Sequence, residues 1–85
     1  MDGESDQKID ALVSKILRIP LAGLSNEMTP HDTEHWDSLT HLTLIAALEE
    51  EFAIDIEPEE IIEMYKGYGI LKSIVLQKMA KSITK

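Results

Sequence analysis

Trp36-Asp37-Ser38-Leu39-Thr40-His41-Leu42-Thr43-Leu44-Ile45-Ala46-Ala47-Leu48-Glu49-Glu50-Glu51-Phe52 is the stretch that decides the fold of this chain. It opens on Asp and Ser, both preferred at helix starts because their side-chain oxygens accept from first-turn amides. Leu39, Leu42, Leu44, Ile45, Leu48 and Phe52 then cover more than half of a helical circumference. A stripe that wide predicts a largely buried helix from Ser38 to Phe52. Thr40, Thr43, Glu50 and Glu51 form its narrow polar face.

On its N-terminal side lies a long connection, residues 18 to 37, entered through the breakers Pro20 and Gly23. A connection of this length is usually functional or disordered. Its apolar residues Ile19, Leu21 and Leu24 are expected to tie it to the core. Thr29-Pro30 reads as an N-cap followed by proline at the first helical position, hence a short turn. Before it, Ile9, Leu12, Val13, Ile16 and Leu17 share one helical face, predicting a first helix from Asp6 to Leu17 with Ser5 as N-cap.

On the C-terminal side, Ile54 and Ile56 alternate with polar residues over too short a span for a sheet. Pro58, followed by Glu59 and Glu60, starts a short third helix with acids at its favourable end. Gly67 and Gly69 read as a flexible break. Leu71, Val75, Met79 and Ile83 then recur every fourth residue, with lysines expected on the outer face. The predicted class is all-α: one domain over 1–85, a small four-helix bundle with a long first connection and a short third helix, residues 1–5 being a disordered tail.

Eighty-five residues bury only about 60% of their unfolded surface, which leaves little room for a deep catalytic cleft. There is no cysteine, so neither disulfides nor thiolate metal sites exist, and any thiol chemistry must arrive on an attached group. The net charge of -8 is unevenly spread. Ile19 to Tyr65 holds twelve acids and no Lys or Arg, whereas Lys66 onward holds five Lys and no acid. An acidic middle repels nucleic acid and anionic lipid and attracts basic surfaces. The polar start is unlike a signal peptide, and no apolar run approaches the ~20 residues of a membrane span. A cytoplasmic monomer is the expectation.

Trp36-Asp37-Ser38-Leu39, the apolar-rich helix ending in Leu48-Glu49-Glu50-Glu51-Phe52, and Ile54-Asp55-Ile56 together resemble the acyl carrier protein family. Asp-Ser-Leu by itself recurs by chance, but its spacing to the following segments extends the resemblance over nearly the whole chain. The resemblance implies that Ser38 receives phosphopantetheine from coenzyme A, through a phosphopantetheinyl transferase and magnesium. It implies a carrier with no catalytic residues, which shuttles thioester-bound acyl groups between synthases with basic docking surfaces. Asp37, Leu39, Thr43, Glu50 and Glu51 are the expected partner contacts.

Bland readings stand beside these. Ser38 can simply cap the helix, and Asp37 can assist the cap. Leu39 can simply fill the core, and Trp36 is read as a core anchor in preference to a partner contact. Two departures point to a specialised lipid or polyketide-type pathway. His35-Trp36 precede the motif where carriers of primary fatty acid biosynthesis often have small residues, and Thr40 and Thr43 stand where those carriers have acids. The Leu-Gly-Gly lead-in of peptide-assembly carriers is also missing. The alternatives are an aminoacyl carrier or a helical interaction module that is never modified.

Other chemistries are weaker. His31 and His35, four residues apart, bind a metal only if helical and joined by further ligands, so no metal is expected. Asp55, Glu57, Glu59 and Glu63 lack the central glycine of a calcium loop, and Pro58 intrudes. A Ser38–His41 catalytic pair lacks both a glycine-rich elbow and oxyanion donors.

Overall fold

The computed structural model describes residues 3–83, with side chains from Glu4 to Ala80. Four α-helices run Gly3–Leu17 (α1), Ser38–Phe52 (α2), Pro58–Met64 (α3) and Tyr68–Ile83 (α4), and no strand occurs among the described residues. The all-α architecture, the long first connection and the short third helix agree with the expectation. α1 starts earlier than Asp6, so Ser5 lies inside its first turn and is not its cap. Of the expected tail, residues 3 to 5 are helical, and Met1 and Asp2 lie outside the described residues.

The core is one cluster. α1 contributes Ile9, Val13 and Leu17, one residue per turn, and all three are fully buried. Leu44, Ile45 and Leu48 of α2 meet them, with Ile54 and Ile56 from the next connection, Met64 from α3, and Tyr68, Leu71 and Val75 from α4. The side chain of Ile83, expected in the same stripe, lies outside the described ones.

The long connection is ordered by two short 3-10 turns, Leu21–Gly23 and Pro30–Asp32, the second opened by Thr29 and Pro30 as the residues predict. Ile19 and Leu24 pack on the core, and so does Met28. Leu21 does not; it is exposed. A helix start needs acceptors for its first amides. At α4 no Ser, Thr or Asp is available, and the connection supplies backbone carbonyls instead. Tyr68 N–H donates to Met28 O at 2.9 Å, and Gly69 N–H to Asn26 O at 3.0 Å. The segment read as a flexible break is therefore a docking point: Gly69 sits in the first turn of α4, and its lack of a side chain admits the backbone of Asn26.

The lysines of α4 are not all on an outer face. Lys72 is largely buried between Asp6 and Asp10 of α1, at 2.9 and 3.3 Å, and Lys78 reaches Glu60 of α3 at 2.9 Å. Tyr68 O–H also donates to Asp10, at 2.5 Å. Burial, with Asp10 as acceptor, pushes the Tyr68 phenol far above its ordinary range. The basic tail that looks segregated in sequence thus folds back onto acids of the first and third helices.

α2 ends at Ala53, which adopts the left-handed conformation at φ 54°. Glycine takes that conformation without the side-chain clash that penalises an L-residue. Ala53→Gly is expected to stabilise the fold by about 0.5–1 kcal/mol, the relief of the clash exceeding the added entropy of the unfolded chain. A urea denaturation midpoint that stays put or falls would contradict this.

Candidate functional site

The second helix begins where its sequence predicts, but Ser38 is not its cap. Asp37 is extended and accepts the Thr40 N–H on Oδ1 at 2.8 Å. That bond, made by the Thr40 amide to the charged carboxylate, holds the Asp37 carboxyl below its usual range. Ser38 is the first helical residue and is exposed, and its side chain makes no hydrogen bond among the described residues. Capping is thus assigned to one residue, and the neighbouring hydroxyl is left free beside the positive end of a four-turn helix.

The helix does not bury the whole of its apolar surface. Leu39 is 75% exposed and Leu42 56% exposed, which overturns the expectation of a largely buried helix and the bland reading of Leu39 as core filling. The buried stripe runs instead through His41, Leu44, Ile45 and Leu48. Leu39 lies on roughly the opposite side of the helix from that stripe, together with Thr43, Ala46 and Glu50. All four are exposed, so a strip of uncharged side chains leads from Ser38 to the acid Glu50. Thr43 Oγ1 donates to its own helix, to Leu39 O at 3.3 Å.

The three consecutive acids divide by environment. Glu49 is half-buried and accepts the Ile56 N–H at 2.9 Å, closing the connection to α3. Glu50 and Glu51 are exposed.

His41, weighed in the sequence only as a catalytic partner of Ser38, has a different role in the structure. It is 3% exposed, and both ring nitrogens are engaged. Trp36 Nε1–H donates to Nδ1 at 3.1 Å, and Nε2 lies 2.9 Å from Ile61 O of α3. Since an indole nitrogen only donates, Nδ1 must accept, and the hydrogen sits on Nε2. The ring also packs on Tyr65, the C-cap of α3, with centroids 4.7 Å apart, and Tyr65 stands edge-on to Trp36. Burial pushes the imidazole pKa down, partly opposed by the bond to Ile61. A signal for this existed: His41 lies in helical register with Ile45, Leu48 and Phe52, the core stripe itself. The same geometry removes the Ser38–His41 pair, since neither imidazole nitrogen is free to take a proton from a hydroxyl.

The helical spacing needed by His31 and His35 also fails. The 3-10 turn ends at Asp32, and residues 33 to 35 are not helical. Among the described residues no group of three or more His, Asp or Glu is placed to hold a metal. None of their helices is long and apolar enough to cross a membrane.

The family model described as "Phosphopantetheine attachment site" matches residues 7–68, which span α1 through the start of α4. A protein named "Acyl carrier protein", from Buchnera aphidicola subsp. Schizaphis graminum (strain Sg), is 40% identical over 55 residues, covering 65% of this chain and 70% of that protein.

Proposed function

Because this chain belongs to the acyl carrier protein family, whose prosthetic group is phosphopantetheine, we propose that Ser38 is its attachment residue and that it shuttles thioester-bound acyl groups in a specialised lipid or polyketide-type pathway. The observation that carries the assignment is the free, exposed hydroxyl of Ser38 next to a cap already supplied by Asp37. A transferase reaches that oxygen without first breaking a bond that holds the helix.

The residues present fit the group. The phosphodiester on Ser38 Oγ is an anion at the start of α2, where helix amides and the dipole favour negative charge. Once attached, the arm supplies the thiol that this cysteine-free chain lacks. Every other task falls to the chain: Asp37 holds the first turn, Trp36 anchors the lead-in, and Ser38 is kept in solvent. Incubation with coenzyme A, magnesium and a broad-specificity phosphopantetheinyl transferase is expected to add one group, and peptide mapping to place it on Ser38. An unchanged mass would favour a helical interaction module that is never modified.

For docking, Leu39 and Thr43 form the near part of the partner surface, and Glu50 and Glu51 the far part, about 18 Å along the helix from Ser38. Asp37 contributes chiefly as the cap. The acids stand in the last turn of α2, where the dipole favours cations, and each costs roughly 0.3–1 kcal/mol at low ionic strength. Basic side chains on a transferase or synthase account for their presence better than the fold does. Replacing both, Glu50→Lys with Glu51→Lys, is expected to slow loading through the association rate while preserving or raising the melting temperature. Added salt should stabilise the natural chain more than the variant, because screening relieves the same repulsion. A variant that melts clearly lower yet loads normally would assign the acids to the fold.

A further inference from the structure

We propose that His41 is a positioning residue for the attachment site: its neutral ring joins Ile61 of α3 to Trp36 in the lead-in of α2, so that the surface beside Ser38 is presented as one two-helix platform that loosens in acid. The inference rests on the attachment reading for its loading measurement alone.

α3 has seven residues, too few to be stable by themselves, and Met64 is its buried residue. It packs chiefly on α4. Toward the start of α2 it is held by the His41–Ile61 hydrogen bond and by the contact of the Tyr65 ring with His41 and Trp36. It exposes Ile62 at 66%, as α2 exposes Leu39 and Leu42. Without His41, α3 keeps its seat on α4 but loses its polar link to the helix that carries Ser38. The buried Trp36 Nε1–H would then lack a partner, a costly state, and the partly buried Ile61 O would lose its own.

The link exists in one protonation state. A second proton would sit on Nδ1 and point at the Trp36 N–H, setting donor against donor. Of the side chains in ring contact with His41, the Tyr65 phenol at the end of α3 is the titratable one. The indole of the lead-in does not titrate. Because burial holds the folded imidazole below its unfolded pKa of about 6.5, the unfolded chain takes up a proton there that the folded chain resists. The contribution of His41 is complete above that pH and is lost as pH falls through and below it.

Two substitutions in the full chain test the idea. His41→Phe keeps a ring against Tyr65 but removes both hydrogen bonds. His41→Gln retains a neutral donor and acceptor that cannot titrate. Amide exchange is expected to quicken roughly tenfold in α3 of His41→Phe while α1 changes little, as the loss of a buried polar link implies. Loading of Ser38 should slow several-fold, and His41→Gln should recover most of both effects. In the natural chain, the Trp36 indole N–H resonance and the protection of α3 should change together as pH drops below about 6.5, and in His41→Gln they should not. Unchanged α3 exchange in His41→Phe, or an acid response in His41→Gln equal to that of the natural chain, overturns the proposal. Should His41→Phe fail to fold, the pH series on the natural chain and His41→Gln decides. A natural chain that is not loaded at all refutes the attachment reading, and the exchange measurements still judge the link.

Discussion

Under conditions that load the natural chain to completion, Ser38→Ala is expected to gain no mass at all. In the proposed attachment the group is esterified through the Ser38 oxygen, and alanine has none. The loss should come without cost to the fold. Among the described residues the Ser38 hydroxyl has no partner to lose, alanine is the best helix former, and exposed substitutions of this kind stay within about 0.5 kcal/mol. Asp37→Ala is the informative companion. It removes the bond to the Thr40 amide, and loss of such a cap costs about 1 kcal/mol. For a domain of this size that lowers the melting temperature by roughly 4–8 °C. The serine remains, so Asp37→Ala should still be loaded. The two variants thus separate a residue that carries chemistry from a residue that holds the helix. Loading of Ser38→Ala at another serine, or a melting temperature that falls as far as in Asp37→Ala, would show that the roles are drawn wrongly.

The largest effect on stability is expected at Gly69. A Cβ there would lie 2.9 Å from the Asn26 carbonyl oxygen, which is backbone and accepts the Gly69 N–H itself. Neither atom can move without opening the contact that holds the long connection against α4. Overpacking of this kind costs about 1–3 kcal/mol, against which alanine recovers less than about 1 kcal/mol of helix propensity. Gly69→Ala should therefore melt roughly 5–10 °C lower. Gly67 is the control. A Cβ there meets Met28 O at 3.5 Å, an ordinary contact, and no described glycine has positive φ. Gly67→Ala should leave the melting temperature nearly unchanged. If both glycines respond alike, backbone freedom and not close approach is what the segment requires.

Reading α4 as following a flexible break was a natural error. Two glycines two residues apart look like a hinge when only local conformation is considered. Their purpose depends on Asn26 and Met28, some forty residues earlier in the chain. Leu21 failed for a similar reason. Its hydrophobicity marks a candidate for burial, but Leu21, in the 3-10 turn at Leu21–Gly23, is exposed, and Met28 packs against the core instead.

The amino-acid sequence by itself determined the helical class, the bounds of α2, the proline starts at Pro30 and Pro58, the core face of α1 and Ser38 as candidate. These follow from local rules: side-chain periodicity, proline geometry and residue preference at helix ends. Tertiary structure alone decided which side of α2 is buried, because that helix is apolar on both sides and periodicity cannot choose between them. The choice places His41 inside and Leu39 and Leu42 outside. It also decided that Asp37 caps, that Glu49 serves the fold while Glu50 and Glu51 face solvent, and that Lys72 and Lys78 meet acids on other helices. A buried polar ring is stable only where partners complete its hydrogen bonds. The partners of His41 come from the lead-in and from α3, so the role of that histidine exists only once the chain has folded.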